Sequence, residues 1–419
     1  MEGPLARRDP AMRRAGQTTR TVAALLVASL IGTACGRERG EPRVTSSDPI
    51  LAAAAEPILL DLADRAGLVL RGPVRLERRT RPELEKYLEF KLDEELDEER
   101  AELLSESYGL LGLLPPDFDL RPALKELYLE QVAGFYDPDS TTLFVLADQP
   151  ESMLEPLLVH ELVHAIQDQS TDLDAITDRD LGNDRQAAAQ AAIEGHATLV
   201  MFEFLLEQRQ EGAMDLTTIP DLTDQVRSAL EAARTQSPAM AAAPLILQES
   251  LLFPYLGGAA FVEALWKSEA GRPPPFGVRL PQSTEQILHP ERFLGGERDA
   301  PEELDVSAGA GWRTLYEDTL GELEIGILLE TLGGDRGGAA GWDGDRYALL
   351  VSDQGARALA WFTVWDSDRS RDSFVRALRS HLPSYPSGTE LSPLDVEGLA
   401  GARLLIGGDP DVTASIAGR

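Results

Sequence analysis

The sequence predicts an α+β fold with two folded parts. Long stretches with apolar residues at helical spacing, such as Ser152 to Asp168, lie among short runs typical of strands, such as Pro73 to Thr80. The chain has 419 residues, which is more than one hydrophobic core usually serves. Its character changes near residue 301, so we expect a larger domain over residues 49–300 and a smaller α+β module over residues 301–419.

The N-terminus has the pattern of an export signal. Arginines between residues 7 and 20 precede an uncharged, mostly apolar run, Thr21 to Ala34, that is too short to span a bilayer. We therefore predict a signal peptide over residues 1–34. The residues before Cys35 resemble the lipobox of bacterial lipoproteins. That resemblance implies a lipid on Cys35 that anchors the protein to a bacterial membrane outside the cytoplasm; a secreted chain without the lipid is the alternative.

Composition bounds the partners of the chain. Residues 35–48 are rich in Gly, Pro, Ser and charged residues and are predicted as a tether, and no later stretch is predicted to cross a membrane. Cys35 is the single cysteine, so a disulfide within the chain is impossible. The net charge of −32 argues against nucleic-acid binding, because phosphates require a basic surface. The pattern leaves the oligomeric state unknown.

Caps, breakers and periodicity define the first folded elements. They are a helix over Pro49–Ala66, a strand over Pro73–Thr80, a helix from a capping box at Thr80 to about Tyr108, a helix from Arg121 to about Gln131, and a hairpin of Val132–Tyr136 with Thr141–Ala147. The hairpin comes directly before the helix predicted from Ser152 to Asp168. Its strand can therefore present an exposed edge to which an extended peptide adds.

The most informative motif is His160-Glu161-Leu162-Val163-His164, since the chain has only five histidines. Residues four apart on a helix share a face, so His160 and His164 can bind one metal ion from adjacent turns. Glu161 projects beside that metal and can take a proton from a water bound to it. The motif therefore predicts a metal centre with a general base.

A catalytic zinc site needs a third protein ligand. The helix predicted over Ala187 to Gln208 contains Glu194 and His196, which are two apart and so point in about opposite directions. We expect one of them, and not both, at the metal. Small residues beside Glu194, among them Gly195, suit the close approach of two helices and favour Glu194.

A His-Glu-x-x-His followed by a Glu on a later helix resembles the gluzincin class of zinc metallopeptidases. The stretch from His160 to Asp168 is also similar to the active-site helix of thermolysin-like enzymes. The resemblance covers Phe135 to about Glu207. It implies a zincin-like domain, in which a mixed sheet accompanies an active-site helix and a Glu-ligand helix.

For the site, the resemblance implies Zn²⁺ held by His160, His164 and Glu194. Glu161 then activates the zinc-bound water to hydrolyse peptide bonds in a protein or peptide substrate. The interval between His164 and Glu194 is longer than is common in the class. Two other functions remain open: an inactive metallopeptidase-fold lipoprotein with a binding or assembly role, and a zinc amidase that acts on cell-wall peptides.

Members of the class generally add a Tyr or His that stabilises the oxyanion. Tyr255, ahead of a helix predicted to begin at Gly257, and His289, predicted two turns into a helix capped at Ser283, are the candidates. A packing role explains each of them equally well. Asp168 is a candidate for orienting a ligand, and a solvated helix end is the alternative.

The C-terminal module carries no motif of catalytic or metal-binding residues. Its predicted elements are a helix over Leu320–Leu332, strands over Arg346–Val351 and Ala358–Trp365, a helix from about Arg369 to Leu382, and a last apolar run over Leu399–Ile406. Its tryptophans are expected in the core, although they could also line a groove. We expect the module to cover or support the larger domain.

Overall fold

The computed structural model describes residues 43–210, 237–296, 298–408 and 410–418. The predicted signal peptide, Cys35 with its predicted lipid, and the first part of the tether lie outside these residues. Pro42–Arg419 form one compact unit. All structural statements below concern the described part of this unit.

Helices and strands are mixed along the described chain, which confirms the α+β class. The helices are α1 (Pro49–Ala55), α2 (Leu59–Arg65), α3 (Arg81–Glu95), α4 (Glu98–Leu111), α5 (Leu120–Gln131), α6 (Glu151–Asp168), α7 (Leu173–Ile176), α8 (Asn183–Gln210), α9 (Pro238–Ala242), α10 (Leu245–Ser268), α11 (Thr284–Leu288), α12 (Pro290–Leu294), α13 (Gly321–Thr331) and α14 (Asp368–Arg379). The strands are β1 (Val44–Ser46), β2 (Val74–Arg79), β3 (Gly134–Asp137), β4 (Thr142–Leu146), β5 (Leu304–Ser307), β6 (Trp312–Asp318), β7 (Trp342–Ser352), β8 (Arg357–Trp365), β9 (Glu390–Val396), β10 (Leu399–Ile406) and β11 (Thr413–Ile416).

The first sheet has four strands in the order β1-β2-β4-β3. β1, β2 and β4 run parallel, and β3 pairs antiparallel with β4 through the predicted hairpin. β3 is therefore an edge strand, and helix α6 follows directly after β4. The tether is shorter than predicted, because Val44–Ser46 pair with Val74–Leu76 instead of remaining free.

The second sheet has five antiparallel strands in the order β6-β7-β8-β10-β9, and β5 and β11 form a separate pair. Trp342, Trp361 and Trp365 are at most 2% exposed, so they serve the core and do not line a groove. The main hydrophobic core contains residues from both sides of residue 301, for example Leu162 of α6 and Leu328 of α13. The first sheet thus lies before the predicted boundary at residue 301 and the second sheet lies after it, but both belong to one compact unit.

Two predicted helices are each divided in the structure. The helix expected over residues 49–66 breaks into α1 and α2 around Pro57, which has no N–H to donate within a helix. The long charged helix opens with the predicted capping box of Thr80 and Glu83, then ends at Leu96. Asp97 caps a new helix, α4, by accepting a hydrogen bond from the Arg100 N–H.

Helix α10 begins twelve residues earlier than predicted, at Leu245, so Pro254, Gly257 and Gly258 lie inside it. The glycines do not open the helix. Gly258 contacts the backbone of α8, where any larger residue would overlap Ala191. By length and composition, α10 is also the one described helix that could cross a membrane, although the sequence analysis predicts no such helix. Half of its most apolar 18-residue window is buried inside the protein, as in a core helix.

Candidate metal centre

Helices α6 and α8 bring three of the predicted residues together. His160 Nε2 lies 3.1 Å from both His164 Nε2 and Glu194 Oε2, and His164 Nε2 lies 3.4 Å from Glu194 Oε2. In the described part of the chain, this is the one group of three or more His, Cys, Asp or Glu residues that could hold a metal ion. Their possible ligand atoms all lie within 4.8 Å of one another. Two imidazole nitrogens and a carboxylate oxygen are a typical donor set for catalytic zinc.

The spacing of these three atoms fits a bound ion. Ligands about 2.0–2.1 Å from a tetrahedral zinc ion lie about 3.3 Å from one another. The three observed separations, 3.1, 3.1 and 3.4 Å, are close to that value. The residues present therefore fit a zinc ion, which His160, His164 and Glu194 would hold.

Charge on the three residues is strongly coupled. Burial opposes the charge of His164, but the carboxylate of Glu194 outweighs it and raises the pKa of His164 to about 9. Burial also opposes the charge of Glu194, yet the rings of His164 and His160 hold the pKa of Glu194 well below its usual value. In the metal-free protein the centre therefore favours a carboxylate next to a protonated imidazole.

Glu161, the predicted base, lies beside the centre and is held by the edge strand. Its side chain is buried, and Oε2 accepts a hydrogen bond of 3.0 Å from the backbone N–H of Tyr136 in β3. Burial raises the pKa of Glu161, against the opposing effect of His164 and His160. The carboxylate is thus fixed in position and made more basic than an exposed Glu.

Asp168 does not contact a ligand. Its Oδ2 accepts a hydrogen bond of 2.7 Å from the hydroxyl of Tyr136, so it ties the end of α6 to β3. This contact and the one at Glu161 both involve Tyr136, which the sequence analysis did not single out. Together they join the edge strand β3 to helix α6 at two points.

His196 is not part of this group of three residues and lies on the core side of α8. It is fully buried, and its ring contacts Trp266 and Phe276 edge-on. Burial lowers the pKa of His196 to about 3, so the ring is neutral. Its Nδ1 lies 3.0 Å from Nε2 of Gln167, and Gln167 in turn contacts His164.

Gln167 is a residue of the centre that the sequence analysis missed. A signal was present in the sequence, because Gln167 lies three residues after His164 and so shares its side of the helix. A polar residue at that spacing can reach the second ring nitrogen of a metal-binding histidine.

Of the two candidates for stabilising the oxyanion, the structure places Tyr255 at the centre. Its ring centroid lies 6.1 Å from that of His160, and the charge of Glu194, followed by burial, raises the pKa of Tyr255 well above its usual value. His289 instead ends helix α11 and pairs with Glu322 of α13 at 2.9 Å. The prediction that His289 lies two turns into that helix is therefore wrong.

Glycines bring the helix of Tyr255 close to the helix of Glu194. Gly195 of α8 and Gly258 of α10 face each other so closely that a Cβ on either residue would overlap the backbone of the other helix. Gly195 follows Glu194 directly, and Gly258 lies three residues after Tyr255. The contact therefore determines how closely the helices that carry Glu194 and Tyr255 approach each other.

The comparisons with known proteins concern a different part of the chain. Residues 309–398, which include β6, β7 and β8, match a family model described as a domain of unknown function (DUF8575). Searches of curated proteins and of solved structures found no match. The match covers about a fifth of the chain and lies outside the metal centre.

Proposed function

We propose that this protein is a zinc-dependent metallopeptidase with a zincin-like domain, acting on a protein or peptide outside the cytoplasm. The observation that supports it most is the convergence of His160, His164 and Glu194 within 4.8 Å, beside the buried carboxylate of Glu161. The sequence motif predicts this set of residues, and the described fold brings it together from two helices.

The residues around the centre have separate tasks in this proposal. When bound by His160, His164 and Glu194, zinc would act as a Lewis acid that lowers the pKa of water and polarises a carbonyl group. Glu161 takes the proton of the attacking water and passes it to the departing amine. In the metal-free protein burial raises the pKa of Glu161, which makes its carboxylate a stronger base than that of an exposed Glu.

Tyr255 is the proposed donor to the developing oxyanion. A tyrosine hydroxyl is protonated at neutral pH, so it can donate a hydrogen bond. Donors aimed at an oxyanion contribute when charge develops in the transition state, and less before it. Tyr255 thus supplies a stabilising contact that His289 is not placed to make.

The edge strand supports a peptide as the substrate. β3 pairs only with β4 in the described sheet, so no described strand occupies its other edge. An extended peptide can add to such an edge through main-chain hydrogen bonds. Because Tyr136 of β3 holds Glu161 through its N–H, a peptide bound along this strand would pass next to the base.

The lipid on Cys35 and a location outside the cytoplasm are also part of the proposal, supported by the apolar run Thr21–Ala34 and the residues that precede Cys35. They would place the centre at a membrane surface that faces away from the cytoplasm. Mass spectrometry of the mature N-terminus would test this; an unmodified Cys35 in the membrane fraction would contradict it.

The direct test measures zinc content and cleavage of a peptide library by the wild-type protein and two variants. We expect one bound zinc per chain. Glu161→Gln should keep the zinc and lose cleavage by a factor of at least about 10²–10⁴, since it removes the base. Glu194→Ala should lose most of the zinc. Glu151→Gln, an exposed change on the same helix as Glu161, is the control and should behave as wild type.

Each other result has a defined meaning. Zinc without cleavage of any peptide would support the inactive, binding form of the fold. Cleavage of cell-wall fragments but not of peptides would support the amidase. A wild-type protein that binds no zinc would refute the proposal.

A further inference from the structure

Gln167 forms a buried chain of hydrogen bonds behind the metal centre. It is fully buried on α6, one turn after His164. Its Oε1 lies 2.8 Å from His164 Nδ1, and its Nε2 lies 3.0 Å from both the carbonyl oxygen of Ile193 and Nδ1 of His196. The amide oxygen and both N–H groups of Gln167 therefore each have a partner.

The partners determine which way the amide points. The carbonyl of Ile193 can only accept, so the nitrogen of Gln167 must face it and the oxygen must face His164. An amide oxygen also only accepts, so His164 Nδ1 must carry a proton. Nε2, which faces His160 and Glu194, is then the ring nitrogen that can offer a lone pair to a metal.

The partner of the second N–H of the amide is His196. This N–H donates to His196 Nδ1, which must be unprotonated, so the proton of that ring lies on Nε2. The ring is fully buried and contacts Trp266 and Phe276 edge-on. His196 and Ile193, both on α8, thus hold Gln167 in one orientation.

We propose that Gln167, locked by Ile193 and His196, is a positioning residue that selects the metal-binding nitrogen of His164. The inference rests on the proposed function, since it concerns the same centre. A neutral amide achieves this without adding a negative charge to a site that already contains Glu161 and Glu194. Groups that orient a metal-binding histidine commonly change metal affinity by about 10- to 100-fold when they are removed.

The first test compares zinc dissociation constants of the full chain. Gln167→Met keeps the size of the side chain and removes all three contacts, and should raise the constant about 10- to 100-fold. Gln169→Met is a matched control: Gln169 lies two residues on and bonds the backbone of Arg71 and Gly72, with no contact to a ligand. The control should keep wild-type affinity. Equal affinities in the two variants would overturn the proposal.

The second test reads the protons directly, on the metal-free full chain with ¹⁵N-labelled histidine. Nitrogen spectra should show His196 with a bare Nδ1 and a protonated Nε2. In Gln167→Met the nitrogen shift of His196 Nδ1 should change, because its donor is lost, whereas in Gln169→Met it should remain as in wild type. A wild-type His196 protonated on Nδ1 would overturn the proposal, because Gln167 could not then donate to it.

The results also separate this proposal from the function. Zinc binding that weakens in Gln167→Met, without any cleavage by the wild-type chain, would support the positioning role and refute the peptidase. If Gln167→Met changes neither cleavage nor zinc affinity, the positioning role is refuted and the peptidase is supported. Absence of zinc binding by the wild-type chain would refute both.

Discussion

Glu194 and His196 show how strongly position on a helix decides the role of a residue. They are two residues apart on α8 and point to different sides, as the sequence predicts. Glu194 faces His160 of α6, whereas His196 faces the core and contacts Trp266 and Phe276. The choice of Glu194 over His196 as the third ligand therefore agrees with the geometry, and a metal measurement is its test.

At the same scale, Tyr255→Phe isolates the proposed oxyanion donor. Removing the hydroxyl should lower kcat by about 10²–10³-fold and leave zinc content unchanged, because the hydroxyl acts on charge that develops in the transition state. Steady-state kinetics with a peptide substrate would measure this. Tyr385→Phe, which removes a hydroxyl bonded to the Leu111 carbonyl away from the centre, is the control and should keep wild-type kcat. Equal activity in both variants would remove Tyr255 from the mechanism.

The sequence could predict part of this centre. A short local motif predicts His160, Glu161 and His164, because a helix places residues four apart on one face. The contacts of Tyr136 with Glu161 and of Gln167 with Ile193 depend on how β3 and α8 pack against α6, and no local pattern contains that information. The same reason explains why Tyr255 and His289 were equally good candidates until the packing of α10 separated them.

At the scale of elements, the contact between α8 and α10 determines the shape of the site. Gly258 was predicted near the start of a helix, yet it lies inside α10. At this position only glycine allows the backbone of α8 to come so close. A glycine inside a helix is unfavourable by itself. Close packing of the two helices compensates for it, and this is a tertiary effect.

Gly258→Ala tests that contact. The added methyl group would overlap the Ala191 backbone, so the helices must separate, and we expect the free energy of unfolding to fall by about 1–3 kcal/mol and zinc affinity to weaken. Chemical denaturation and zinc titration would measure both effects. Gly109→Ala in α4 is the control, because its Cβ would meet no atom within 4 Å. That variant should be about 0.5–1 kcal/mol more stable than wild type. A Gly258→Ala protein as stable as wild type would contradict the role of the contact.

At the scale of the whole molecule, buried carboxyl groups make hydrogen bonds between helices. Tyr108 of α4 donates a hydrogen bond of 2.6 Å to Glu324 of α13, and Asp184 of α8 accepts one of 3.0 Å from the Thr284 N–H of α11. The first of these contacts joins residues from the two sides of residue 301. The sequence shows a change of composition at that point, but it does not show that one core extends across it.

These buried acids predict how stability varies with pH. Burial raises the pKa of Glu324 to about 8, from 4.5 in a solvated carboxyl group. Between these values the folded protein keeps a proton that the unfolded chain has released. The free energy of unfolding should therefore decrease as pH rises through this range, by at most about 1.4 kcal/mol per pH unit for this proton, and level off above it.

Denaturation at several pH values from 5 to 9, on the metal-free protein, would measure this decrease. Glu324→Gln has no proton to lose and should flatten the profile. Glu98→Gln, an exposed change on α4, should leave it as in wild type. Since burial also raises the pKa of Asp184 to about 7, part of the slope should remain in Glu324→Gln. A profile that Glu324→Gln does not alter would show that this carboxyl titrates normally.

The sequence by itself determined the α+β class, most helix and strand positions, and the local motif of His160, Glu161 and His164, because periodicity, caps and helical spacing are local properties. The tertiary structure decided the rest: that Gly257 and Gly258 lie within α10, that Tyr255 rather than His289 reaches the centre, that Gln167 and His196 lie behind it, and that residues 49–300 and 301–419 share one core. Each of these depends on contacts between residues far apart in the chain. Such contacts follow from the packing of whole elements, which no short stretch of sequence specifies.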